Sequence, residues 1–187
     1  MTRFLAWCHS PHRKKSAERV GPVRAILARM GYSPGTTLPI WLTNVVFQRL
    51  LRVDAGCRYS KHFTSRILHP EGLAIENDCP KVRTSLAVSG GCYINCADGL
   101  WIGEGTIWAP NVAIISQTHD IDDFEKAPRT GGIRIGRHCW IGIGSVILPG
   151  VTLGDRTIVG ANSVVRQSFA DGNVVVAGAP AAVVRKR

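Results

Sequence analysis

Residues 135–170 fall into six lines of six: IGRHCW, IGIGSV, ILPGVT, LGDRTI, VGANSV and VRQSFA. The lines open on Ile135, Ile141, Ile147, Leu153, Val159 and Val165, each of them aliphatic. Gly stands second in four lines, and the fifth residues are small or β-branched in five (Cys139, Ser145, Val151, Thr157, Ser163). A strict period of six is neither the 3.6 of a helix nor the 2 of a single strand. It is the mark of a solenoid, in which each short strand sends one side chain into a shared core and small residues turn the corners.

The ruling extends N-terminally with less regularity, as GGCYIN, CADGLW, IGEGTI, WAPNVA and IISQTH over residues 90–119. It then breaks. Fifteen residues, DIDDFEKAPRTGGIR (120–134), separate His119 from Ile135, and fifteen is not a multiple of six. This stretch is expected to leave the solenoid as a loop, and in repeat proteins such excursions carry function.

The six-residue lines resemble the motif of the hexapeptide-repeat acyltransferases: an aliphatic residue, Gly, two free positions, a small residue and a free position. The resemblance implies an all-β solenoid, a left-handed parallel β-helix of triangular section with three hexapeptides per coil. Its handedness rests on the resemblance alone, because crossovers between parallel strands are otherwise right-handed. The similarity covers roughly residues 60–187 and is closest in motif to sugar O-acetyltransferases of the maltose/galactoside and polysaccharide-modifying type. We expect a basic helical N-terminal segment over residues 1–56 and a β-helix over 57–187. The latter would include the excursion loop 120–134 and a C-terminal tail, 171–187.

The resemblance also implies a chemistry. It places a catalytic histidine before the extended loop, at the THD of residues 118–120. His119 would then remove a proton from an acceptor hydroxyl or amine, which attacks the thioester of acetyl-CoA directly. Imidazole suits this task, since its ordinary pKa of ~6.5 leaves it able to accept a proton at neutral pH. Asn95 matches an acceptor-binding asparagine, the alternative being a turn or a ladder of internal amides. Trp140 matches an aromatic that walls the acceptor and acetyl end of the site. Ala161 matches a backbone contact to the pantetheine arm, and Arg185 a basic residue near the CoA phosphates, where a guanidinium pairs in a fork. A basic tail can equally be solvated. Arg166 is a further CoA candidate, beside Gln167 where many members carry lysine; Ile143 replaces the usual small polar residue after WIG. A homotrimer follows by resemblance, with the cofactor in the cleft between prisms, so that one site can draw on two subunits.

Composition sets the remaining bounds. The formal charge is +10. Residues 1–61 hold 11 Lys and Arg against Glu18 and Asp54, a net +9, whereas residues 62–187 hold 12 basic and 11 acidic residues, a net +1. The charge therefore belongs to the N-terminal segment. Within it, residues 23–30 have helical character, and residues 39–53 (PIWLTNVVFQRLLRV) group Leu42, Val45, Val46, Arg49, Leu50 and Val53 at helical spacing. This face is expected either to cap the open end of the solenoid or to lie on anionic lipid, giving peripheral membrane contact through residues 1–56. Nucleic acid is not expected as a partner, because no stacking aromatics alternate with the basic residues. No run approaches the ~20 apolar residues of a membrane span, and residues 1–15 lack the apolar stretch of a secretory signal, so a cytoplasmic location is the expectation.

No metal is expected. Cys92 and Cys96 do not have zinc-ligand spacing, and the six cysteines suit small core positions better. The carbonic-anhydrase branch of the fold needs two histidines five apart, and Phe124 stands five after His119. The sequence thus predicts an acetyl-CoA-dependent O-acetyltransferase acting on a sugar hydroxyl in surface polysaccharide or glycoconjugate assembly. Two alternatives stay open: an N-acetyltransferase for an amino-sugar nucleotide, and a non-catalytic β-helix scaffold.

Overall fold

In the computed structural model, which describes Tyr32 and residues 35–187, the six-residue period becomes strands of two or three residues joined by sharp corners. The chain contributes to three sheets in turn. The first contains β1 (Arg66–Leu68), β3 (Tyr93–Asn95), β6 (Ala113–Ile115), β9 (Val146–Ile147) and β12 (Val164–Val165). The second holds β2 (Leu73–Ile75), β4 (Leu100–Ile102), β7 (Ile133–Ile135) and β10 (Thr152–Leu153). The third holds β5 (Ile107–Trp108), β8 (Trp140–Ile141), β11 (Ile158–Val159), β13 (Val174–Gly178) and β14 (Ala181–Lys186). Every pairing is parallel except β13 with β14. The result is the left-handed parallel β-helix, a three-sided prism.

The core lies along the prism axis and is built from the first and fifth positions. Ile135, Ile141, Ile147 and Val165 are wholly buried, and Leu153 and Val159 are 1% exposed. Each contributes about 1.5–3 kcal/mol by leaving water. The fifth positions are buried as well, and their hydroxyls find acceptors on the neighbouring coil: Ser145 Oγ donates to Gly160 O (2.8 Å) and Thr106 Oγ1 to Gly136 O (2.7 Å). A buried hydroxyl without such a partner would be costly. Glycine at the second position has a steric cause. A Cβ on Gly136 would lie 2.6 Å from the Asp155 nitrogen and 2.7 Å from the Gly154 carbonyl carbon, so the coils stack backbone to backbone at this corner.

The first coils are less regular. Leu73–Ile75 forms a strand, residues 62–65 do not, and β1 begins only at Arg66. An α-helix that the repeat did not announce, α2 (Pro80–Val88), buries Val82, Leu86 and Ala87. At the other end the tail is an ordered hairpin, in which β14 folds back antiparallel on β13 and closes the third sheet.

Of the two placements expected for the N-terminal helix, its apolar stripe does not take the one that caps the solenoid. It runs over Leu38–Val45 (α1) and continues as a π-helical turn, Val46–Leu50. Its buried side is Trp41, Asn44 and Gln48, while Leu42, Val46 and Leu50 of the apolar stripe are exposed. Polar pins hold it. Asn44 Nδ2 donates to Ala87 O (3.0 Å) and Asn44 Oδ1 accepts from Phe63 N (3.0 Å). Gln48 Nε2 donates to both Cys57 O and Tyr59 O at 2.8 Å. Gln48 Oε1 also accepts from Lys61 N (3.3 Å), so two amides satisfy five backbone groups at the end of the solenoid and fix the helix there. The helix expected over residues 23–30 lies outside the described residues.

One ion pair ties three coils along the corner between the second and third sheets. Arg137 Nε donates to Glu76 Oε2 (2.9 Å), and Glu76 also accepts from Glu104 N (2.9 Å). The Arg137 guanidinium and then the Glu104 N–H hold the Glu76 carboxyl down from its ordinary 4.5 to about 2. A carboxylate that ionises more readily in the folded state contributes stability above its unfolded pKa and loses it as pH falls through the folded one. Thermal melts taken between about pH 4.5 and about 2 should therefore drop less steeply for Glu76→Gln than for the parent chain. Identical acid limbs would contradict this role.

Candidate active site

The excursion leaves the prism between β6 and β7, at the corner joining the first and second sheets. The strand β7 opens at Ile133, which is buried, so the last two residues of the expected fifteen already belong to the sheet. Asp98, from the turn one coil earlier, clamps the loop's two ends. Its carboxylate accepts from Thr130 N (2.7 Å), Thr130 Oγ1 (3.1 Å) and Gln117 Nε2 (3.0 Å). These donors, the Thr130 amide foremost, hold the carboxyl below its usual range.

Between the clamped ends the chain folds back on itself. Asp120 N donates to Lys126 O (2.8 Å), and Asp120 Oδ1 accepts from Asp122 N (2.9 Å). The ring of His119 closes this turn, with Nδ1 lying 2.7 Å from the carbonyl oxygen of Phe124. A carbonyl only accepts, so Nδ1 carries the proton and, in the neutral ring, the Nε2 lone pair is free. The loop thereby fixes the tautomer that a general base requires. Phe124 and Ile121 at the loop tip are 74% and 86% exposed. Beside the loop base, on the second sheet, a recess of about 410 Å³ is lined by Asp98, Trp101, Gly131 and Arg134, among others. The Arg134 guanidinium lies 3.7 Å from the centroid of the Trp101 ring, a cation–π contact that holds it in place.

The six residues singled out from sequence divide between two surfaces. Asn95 ends β3 at the same corner as the loop, and its Oδ1 accepts from Ala97 N (2.9 Å), shaping the turn. Arg166 follows β12 on the same corner, further along the axis through the β6–β9–β12 ladder. Asn95, His119 and Arg166 therefore share one edge. Trp140 instead starts β8 on the third sheet and is 45% exposed. Ala161 is exposed at the corner where the chain leaves that sheet, its backbone stacked on Gly142. Arg185 on β14 lines up with Trp140 through Val175 and Ile158. Three strand spacings, ~14 Å, separate the two along this column. In a triangular prism the edge between the first and second faces lies opposite the third face. Within one protomer the histidine edge and the tryptophan face therefore point apart.

Residues 132–167 match the family model described as bacterial transferase hexapeptide (six repeats). Over these residues the chain carries the hexapeptide repeat of bacterial transferases. Among curated relatives it is 28% identical to the putative lipopolysaccharide biosynthesis O-acetyl transferase WbbJ of Escherichia coli K12, over 75% of this chain and 76% of that one. It is 38% identical to the galactoside O-acetyltransferase of the same organism over 46% of this chain, but spans only 43% of that relative's length. A crystal structure of AntD, an N-acyltransferase from Bacillus cereus, in complex with dTDP-4-amino-4,6-dideoxyglucose and coenzyme A, superposes with a TM-score of 0.51. That match covers 67% of this chain and 79% of AntD at 15% identity, and concerns the fold alone.

Sequence reasoning did not find Asp98, Trp101 or Arg134. Asp98 reaches residues 19 and 32 positions away, and only the stacking of coils brings them together. If Asp98 is the clamp, Asp98→Ala should speed hydrogen exchange across residues 117–132, with the Thr130 amide among the most affected. Unchanged protection of that segment would show the loop to be held by other means.

Proposed function

We propose that the protein is an acetyl-CoA-dependent O-acetyltransferase acting on a sugar hydroxyl, with His119 as general base. The observation that carries this reading is the Nδ1 contact to the Phe124 carbonyl, which leaves Nε2 free to accept a proton. Nε2 takes the proton of the acceptor hydroxyl while its oxygen forms a bond to the acetyl carbonyl carbon. The carbon–sulfur bond then breaks, and the proton passes from Nε2 to the departing sulfur. No acyl-enzyme is required. Relatives named as O-acetyltransferases in lipopolysaccharide biosynthesis and on galactosides support the sugar as acceptor class.

The division of residues between an edge and a face is what a trimer needs. Closed head-to-tail rings bring one surface of each protomer against a different surface of the next. Packing the His119 edge of one subunit against the third sheet of its neighbour would assemble base, tryptophan wall and CoA contacts in one cleft. The Trp140–Arg185 column suits the donor. An indole at one end would bound the acetyl group, backbone at Ala161 would border the pantetheine arm, and the Arg185 guanidinium would meet the phosphates. Arg166, on the opposite edge, would contribute from the other subunit. Asn95, at the loop corner, would hold the acceptor. A cytoplasmic setting, where acetyl-CoA is available, and contact with a membrane through residues 1–56 complete the reading.

Thiol release from acetyl-CoA, measured against a panel of sugars, amino sugars and lipid-linked oligosaccharides, tests the chemistry. His119→Ala should lower kcat by about 10²–10⁴ with the responding acceptor, with CoA affinity retained. Mass spectrometry of the product then distinguishes an ester from an amide. Absence of turnover together with absence of CoA binding would overturn the enzyme reading.

A further inference from the structure

The inverted N-terminal helix leaves an apolar stripe facing outward. Leu38, Leu42, Val46 and Leu50 follow one another at four-residue intervals and are 57%, 49%, 42% and 74% exposed, with Leu51 beside them at 58%. Among the described residues nothing covers this stripe of five large aliphatic side chains, and the opposite side of the helix is pinned by Asn44 and Gln48. Contiguous apolar surface of this kind marks an interaction site.

Charge selects the occupant. Arg49 and Arg52 are exposed alongside the stripe. The nearby Asp54 is already engaged, by Lys61 Nζ at 3.3 Å and Arg66 Nε at 3.1 Å. Residues 1–61 carry a net +9, while the rest of the chain carries +1. An apolar helix face flanked by cations, in a strongly basic segment, fits the headgroup region of an anionic bilayer, where apolar insertion and electrostatic attraction add. No helix among the described residues is long and apolar enough to cross a membrane.

We propose that the Leu38–Leu42–Val46–Leu50–Leu51 stripe docks on the surface of an anionic membrane, with α1 lying in the interface plane. This identifies the surface for the membrane contact proposed above, and its strength rests on the trimer reading. The helix sits at the N-terminal end of the prism, pinned to Ala87, Cys57 and Tyr59. A threefold ring places all three such ends on one side, so three weak contacts engage one plane and reinforce each other. The enzyme would then stand upright on the membrane, positioned for acceptors carried on lipid.

Co-sedimentation of the full chain with vesicles is the test. The parent chain should partition onto phosphatidylglycerol-containing vesicles about tenfold more strongly than onto pure phosphatidylcholine. The triple variant Leu42→Ser, Val46→Ser, Leu50→Ser should lose about tenfold of that partitioning while keeping its melting temperature and oligomeric mass. Arg49→Gln with Arg52→Gln should weaken binding to the anionic vesicles alone. Sedimentation unchanged in the triple variant would overturn the proposal. So would a larger assembly of the parent chain that the variant dissolves, because the stripe would then be a contact between copies. The readout does not involve acetyl transfer, so a failed docking leaves the transferase reading intact, and the reverse also holds.

Discussion

Everything in this molecule depends on coils stacking directly upon one another at the strand spacing. That spacing demands glycine where backbones meet, as at Gly136 over Asp155, and a side chain of fixed size in the core once per strand. It also fixes each coil against the next, so a residue's position in the six-residue line determines which face, edge or interior it occupies. A segment that does not fit must leave. The excursion after β6 is such a segment, and Asp98 holds its two ends at the corner where it departs.

Topology then has a chemical consequence. Because each coil passes through the three sheets in the same order, the loop corner is always opposite the third sheet. The histidine edge and the Trp140–Arg185 column can meet only if one protomer's edge abuts another's face. In the proposed trimer, assembly would therefore complete the site as well as bury surface. The proposed head-to-tail ring would turn the N-terminal helices toward one side, linking the site's construction to the membrane surface proposed for α1.

The sequence was most legible where the repeat is strict. Periodicity alone assigned Ile135, Ile141, Ile147, Leu153, Val159 and Val165 and the small residues Cys139, Ser145, Thr157 and Ser163 to the interior, and all are buried. It marked His119 as the last residue before the break. Legibility failed where stacking gives way to other forces. The apolar spacing of Leu42, Val46 and Leu50 left open whether that face caps the solenoid, because the open end of the solenoid offers backbone donors and acceptors, and Asn44 and Gln48 answer those instead. The loop ends two residues early because Ile133 and Arg134 pair with Leu100 and Trp101, outside the six-residue ruling. Asp98 and the Trp101–Arg134 stack arise between coils, at separations that no local pattern encodes.

The central claim is that one active site is shared between two subunits, and mixing inactive variants tests it directly. His119→Ala and Trp140→Ala chains, each purified, would be dissociated, combined in equal amounts and reassembled. If sites pair the histidine edge of one subunit with the tryptophan face of the next, random heterotrimers should recover about a quarter of the parental thiol release. Activity that remains at the level of the separate variants after verified subunit exchange would contradict the account.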